Sequence, residues 1–123
     1  MTAKGGGLAL LLLALAACEK PTNKQTDKDR DRCQQYDGSS AAVAVDTCTR
    51  LLQADDARLV RHVHAYSWRA QAFTELQQWD RAKADFRKVL ELEPSYALAT
   101  REIRRIEELR EYELRTGSRP SPN

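Results

Sequence analysis

The sequence predicts an all-α protein, and three observations carry that prediction. No glycine lies between Gly38 and Gly117, and Pro94 is the single proline of that interval. Alanine, leucine, arginine, glutamate and glutamine dominate the interval, and all five residue types favour helices. Apolar residues recur there at steps of three and four, and no run alternates as a half-buried strand does.

Two helices are predicted after a turn at residues 37–40. The first covers about 41–54, because Ser39 and Ser40 offer N-caps and an apolar stripe follows at helical spacing: Ala41, Ala44, Val45, Cys48, Leu51 and Leu52. Asp55 and Asp56 break that stripe and can cap a second helix over about 57–77.

Two more helices complete the expected domain. The third runs over about 80–93, with Asp80 as a predicted N-cap and an end before Pro94, which disfavours helical geometry at the residue before it. The fourth covers about 96–114. The last residues, 116–123, have the composition of a loose, disordered tail.

The N-terminus has the pattern of an export signal. Lys4 is followed by ten residues of leucine and alanine, 8–17, which is shorter than the ~20 apolar residues that span a bilayer. The end of this run and the next residue, Leu15, Ala16, Ala17 and Cys18, resemble the lipobox of bacterial lipoproteins. This resemblance implies that residues 1–17 are removed and that Cys18 is lipidated. An uncleaved anchor or a secreted protein with an incidental cysteine is the alternative.

A charged segment separates Cys18 from the predicted helices. Residues 19–32 contain five basic and four acidic side chains and no apolar residue except Pro21. We therefore predict that residues 18–32 are the lipidated cysteine and a flexible, solvated tether. Glu19 differs from the aspartate of the inner-membrane retention signal, so the resemblance implies the periplasmic face of the outer membrane.

A repeat lies in the middle of the chain. The span 63–96 has 34 residues, which is the period of a tetratricopeptide repeat (TPR). Its aromatic, small and proline positions also resemble that family: Tyr66, Ala70, Phe73, Trp79, Ala82, Phe86 and Pro94. Arg69 and Val89 depart from it, because the family prefers leucine and alanine there. Arg69 either lays its stem over the core or has an unusual neighbour.

The resemblance implies a short TPR-like α-α superhelix. Ala44 and Cys48 align with Ala82 and Phe86, so an eroded repeat precedes the good one. We predict a TPR-like domain over 33–95 and a capping helix over 96–115. Such a short array buries little core, since about three repeats are usually needed.

Cys33 and Cys48 remain as an even pair if Cys18 is lipidated, and disulfides persist outside the cytoplasm. We predict that they form a disulfide, which would stabilise the domain by roughly 3 kcal/mol in the chain-entropy treatment. Two reduced, partly buried thiols are the alternative.

Few residues suggest chemistry. His62 and His64 point about 200° apart on a helix, so we predict neither a metal site nor a cofactor. Only Gly38 and Gly117 follow the signal, which leaves no phosphate-binding loop. The net charge of +2 gives no sign of a nucleic-acid-binding protein, for which a clustered basic face would be expected, so we expect no nucleic-acid binding. We predict a binding module rather than an enzyme.

The family resemblance places a partner-binding groove on the first helix of the repeat, at His64, Ser67, Trp68, Gln71, Thr74 and Glu75. Trp68 is either a binding anchor or packs with Ala65, Ala72 and Leu76 against the preceding helix. The expected function is a lipid-anchored adaptor or scaffold for another envelope protein or peptide. The alternative is a structural lipoprotein that completes its short array by forming a homo-oligomer.

Overall fold

The computed structural model describes residues 23–34, 40–54 and 59–118 of the 123-residue chain. Within these ranges the protein is all-helical and contains no strand. The prediction of an all-α protein is confirmed. The helices are α1 (Asn23–Gln34), α2 (Ala41–Gln53), α3 (Leu59–Glu75), α4 (Trp79–Leu92) and α5 (Ala97–Thr116).

The helices pack in sequence order. α1 lies against α2, α2 against α3, α3 against α4, and α4 against α5, and α1 also reaches α3. Because most contacts join elements that are adjacent in sequence, the fold has the nearest-neighbour character of a helical array. No helix within the described ranges is both long and apolar enough to span a membrane.

The bounds of α2, α4 and α5 lie within two residues of the sequence prediction, and α3 ends at Glu75 rather than at about Gln77. The N-cap position of α4 is Gln78, so Asp80 is not the cap that we predicted. Asp80 instead lies in the first turn, where a carboxylate favours the helix dipole, and it pairs with Arg110 of α5. Ser40 does occupy the N-cap position of α2, although its side chain makes no capping hydrogen bond. Asp55 and Asp56 lie outside the described residues.

The larger core lies between α3, α4 and α5. Ala70, Ala82 and Ala99 are fully buried in it, and such small side chains allow neighbouring helices to approach closely. Larger side chains fill the remaining space: Val63, Phe73, Phe86, Val89 and Ile106 are buried, and Tyr66, Trp79, Leu90 and Leu92 pack against them. Pro94 is exposed just after α4.

A smaller core joins the first three helices. Cys33 of α1, Cys48 and Leu51 of α2, and Ala65 of α3 are buried together. Cys33 and Cys48 form a disulfide whose Cα atoms are 5.0 Å apart, in agreement with the predicted pairing. This bond fastens α1 to α2.

The structure differs from the expected tether. Residues 23–34 form α1 and pack on α2 and α3, so the helical domain includes residues before Cys33 that we predicted as tether. The physical reason is a polar contact that composition does not reveal. Asp29 is only 2% exposed and accepts hydrogen bonds from Arg50 of α2 and from Gln25. A charged segment can therefore dock without apolar side chains.

Candidate functional site

The predicted groove residues on α3 separate into two groups. His64 and Glu75 are exposed, and Trp68 and Gln71 are half-buried. These four residues follow one another at steps of four, three and four, so they share one stripe of the helix. We call this stripe the α3 face. It is the part of the predicted groove that a partner could reach.

Ser67 and Thr74 do not belong to that face. Ser67 is 1% exposed and Thr74 is 9% exposed, so neither can contact a partner in this structure. Both lie on the same side of α3 as the buried Ala70, because positions 67, 70 and 74 are one helical turn apart. The Thr74 hydroxyl donates a hydrogen bond to the Ala70 carbonyl at 2.9 Å. Including these two residues in the groove was wrong.

Trp68 is held on both sides. It packs against the small core of Cys33, Cys48, Leu51 and Ala65, which agrees with the structural interpretation of this side chain. His64 stacks on it with the ring centroids 5.4 Å apart and an interplanar angle of 22°. Trp68 is therefore a fixed wall of the α3 face, and His64 is the ring that an incoming group would meet first.

The α3 face combines four kinds of side chain. It presents an imidazole ring, an indole edge, an amide and a carboxylate. Gln71 Nε2 donates a hydrogen bond to the Ser67 carbonyl at 3.3 Å, which orients the amide along the helix. In the part of the chain that the structure covers, no group of His, Cys, Asp and Glu side chains could hold a metal ion.

Behind the α3 face, Arg69 joins three helices. Its guanidinium donates two hydrogen bonds of 2.7 Å to Asp85 of α4 and one of 3.1 Å to Thr49 of α2. It also lies over the rings of Tyr66 and Phe73, 5.5 and 5.7 Å from their centroids. The hydrogen bonds to Asp85 raise the pKa of Arg69. Arg69, which stands where the TPR resemblance favours leucine, therefore has an unusual neighbour, Asp85.

A signal for this pair exists in the sequence. Asp85 lies one residue before Phe86 and three residues after Ala82, on the buried side of α4. A buried carboxylate needs a partner, and an arginine in an apolar position of the preceding helix provides one. Two opposite charges in apolar positions of neighbouring helices, Arg69 and Asp85, therefore predict an ion pair between them.

A second polar pair lies between α1 and α2. Arg50 Nε and Nη2 contact the two oxygens of Asp29 at 3.1 and 3.0 Å, and Arg50 also pairs with Asp46. The hydrogen bonds from Arg50 lower the pKa of Asp29, because they favour its charged form. Sequence reasoning missed Asp29, since one aspartate among many charges in residues 19–32 carries no local signal of burial.

An open pocket of about 550 Å³ lies at the other end of the array. It is formed by the α3–α4 turn, the start of α4 and the last turns of α5. It is lined by Gln77, Gln78, Trp79, Asp80, Arg81, Arg110, Glu113 and Leu114. Two of its lining residues, Asp80 and Arg110, form an exposed ion pair with each other.

No family model, curated protein or solved structure matches the chain. Cys18 and the lipobox-like residues before it lie outside the described residues, so the predicted lipid attachment stays a prediction. The candidate site described by the structure consists of the α3 face, the smaller core behind it and the two arginine–aspartate pairs that hold the helices around it.

Proposed function

We propose that the protein is a lipid-anchored adaptor of the bacterial envelope, whose short TPR-like array binds another envelope protein or peptide. The observation that carries this proposal is the α3 face. A stripe of four side chains is open to solvent on a helix whose neighbours hold it on its other sides. Rigid helices that leave one polar and aromatic stripe uncovered suit partner recognition.

The resemblance to tetratricopeptide repeats has physical support in the core. Ala70 and Ala82, which occupy the small positions of the motif, are fully buried where α3 and α4 meet. Phe73 and Phe86 occupy aromatic positions and are also buried. In this proposal α3 and α4 form the good repeat, α1 and α2 the eroded one, and α5 the capping helix.

The outer surfaces of the terminal helices favour an adaptor over self-assembly. Lys24 and Lys28 are exposed on α1, and Arg104 and Glu108 are exposed on α5. Repeat arrays need polar outer faces on their terminal elements to remain soluble. Self-assembly is supported by the exposed apolar side chains of the described residues, which include Val43, Leu76, Tyr112 and Leu114.

The lipid anchor rests on the lipobox and is tested separately. We expect the intact mass of membrane-extracted protein to exceed that of the polypeptide 18–123 by a lipid modification on Cys18. A mass equal to the unmodified polypeptide, or retention of residues 1–17, would remove the anchor from the proposal.

The partner-binding proposal is tested by photo-crosslinking in the native host. A photoreactive amino acid is placed at Gln71 of the α3 face and, as a matched control, at Arg87, which is exposed on α4. We expect one envelope protein to be captured from Gln71, captured again from Glu75, and absent from Arg87. Capture of the protein itself from the α3 face would support self-assembly instead. Equal capture from all three positions would refute a specific binding face.

A further inference from the structure

The docking of α1 has an unusual basis. Its sequence, NKQTDKDRDRCQ, contains no apolar residue apart from Cys33. Among its described side chains, only those of Asp29 and Cys33 are buried. Helices normally pack through an apolar stripe whose burial supplies the free energy of docking. α1 lacks that stripe.

Two contacts replace it. The Cys33–Cys48 disulfide fastens one turn of α1 to α2, and the Asp29–Arg50 pair fastens the preceding turn. Cys33 and Asp29 are four residues apart on α1, and Cys48 and Arg50 are two apart on α2. Residues four apart share one side of a helix, so both contacts are made by the same side of α1.

The ion pair is not sufficient by itself. Asp29 must lose its hydration to dock, and a buried pair roughly compensates that loss without a large surplus. Arg50 is 40% exposed in its side chain and has Asp46 as a second partner, so it does not depend on Asp29. A helix of 12 residues is also marginal in isolation. The disulfide is what keeps α1 close to α2.

We propose that α1 is a latch closed by oxidation: it docks on α2 and α3 when Cys33 and Cys48 are joined, and it is released when they are free thiols. Closing the latch requires a disulfide oxidant. The two thiols lose two protons and two electrons as the S–S bond forms, and the oxidant's own S–S bond is reduced to two thiols. Joining the chain across a 15-residue separation favours the docked state by roughly 100-fold.

The closed latch is protected from reduction. Cys33 and Cys48 are both 0% exposed, because the disulfide lies under α1 and against Ala65 and Trp68. Thiol–disulfide exchange needs direct access of a thiolate to sulfur. A reductant therefore reaches the bond only after local opening, so oxidation closes the latch more readily than reduction opens it.

The test is hydrogen exchange of the full chain in detergent, read by mass spectrometry, which needs neither membrane nor partner. We compare the oxidised protein with the Cys33→Ser/Cys48→Ser variant. We expect amide protection in 23–34 to fall at least about tenfold in the variant, while α3 and α4 stay within about threefold of the oxidised protein. The oxidised Asp29→Asn variant is the matched control and should keep most of the α1 protection.

A second measurement uses the wild-type sequence. The protein is reduced in denaturant, refolded without oxidant and then given glutathione disulfide. We expect α1 to become protected only as the two thiols disappear. Protection of α1 while both thiols remain reactive would overturn the proposal. Loss of protection across α3 and α4 in the reduced protein would also overturn it, because the bond would then hold the whole domain rather than α1.

Discussion

Replacing Arg69 by leucine should strongly destabilise the protein, although leucine is the residue that the TPR resemblance favours there. The substitution leaves Asp85 buried at 6% exposure without its bidentate partner. An unpaired charge in such a place costs about 3–5 kcal/mol of unfolding free energy. The same substitution also removes the hydrogen bond to Thr49, which ties α2 to the pair.

The double variant Arg69→Leu/Asp85→Val separates charge from packing. It replaces the buried pair by apolar side chains that together fill a similar volume, and such replacements are often neutral. We expect its unfolding free energy to lie within about 1.5 kcal/mol of the wild type. The coupling between the two positions should therefore be at least about 2 kcal/mol.

The assay is urea unfolding followed by far-ultraviolet circular dichroism, with the disulfide intact in every variant. Wild type, both single variants and the double variant form a double-mutant cycle, which is interpretable if the denaturant slopes agree. A coupling below about 0.5 kcal/mol would refute the claim that the pair is a buried, interdependent unit. So would a double variant as unstable as Arg69→Leu alone.

Three further predictions address single positions. Folding lowers the pKa of Asp29. The stabilisation that Asp29 gives is therefore present above its unfolded pKa of 3.8 and is lost as the pH falls through its lower folded pKa. The protection of α1 in hydrogen exchange should therefore fall over that acidic range in the wild type. The Asp29→Asn variant should lack this pH-dependent fall. Identical pH profiles for the two proteins would contradict the role given to Asp29. Phe86→Ala should cost about 3–5 kcal/mol in urea unfolding because Phe86 is fully buried, while the control Leu114→Ala, at 80% exposure, should cost less than about 0.5 kcal/mol. Ser67→Ala should leave the free energy of unfolding within about 0.5 kcal/mol of the wild type or increase it, because the buried Ser67 hydroxyl has no hydrogen-bond partner among the described residues. A loss above about 1 kcal/mol would show that this hydroxyl has a partner.

The candidate site was predictable in part. The family resemblance placed His64, Trp68, Gln71 and Glu75 in one groove on α3, and these four residues share a face that reaches solvent. The same reasoning put Ser67 and Thr74 there, but both are buried. Polar side chains on a helix are usually exposed, and only the positions of the neighbouring helices reveal which of them are covered.

For α1 the sequence prediction was wrong about a whole segment, which was expected to be an unfolded tether. Composition indicated a solvated segment because residues 19–32 have almost no apolar area to bury. In the structure Asp29 finds Arg50, 21 positions later in the chain, and the Cys33–Cys48 bond brings the two helices together. Composition measures apolar burial, so it cannot anticipate docking that depends on one ion pair and one covalent bond.

The sequence by itself determined the all-α fold class, the approximate bounds of α2 to α5 and the cysteine pair, because these follow from helix propensity, periodicity and the number of cysteines. Only the tertiary structure decided that α1 is part of the domain, that Arg69 is neutralised by Asp85, and which four of the six predicted groove residues reach solvent. The physical reason is range. Helix formation is governed by residues within four positions of one another, whereas the burial and pairing of charges are governed by side chains that only folding brings together.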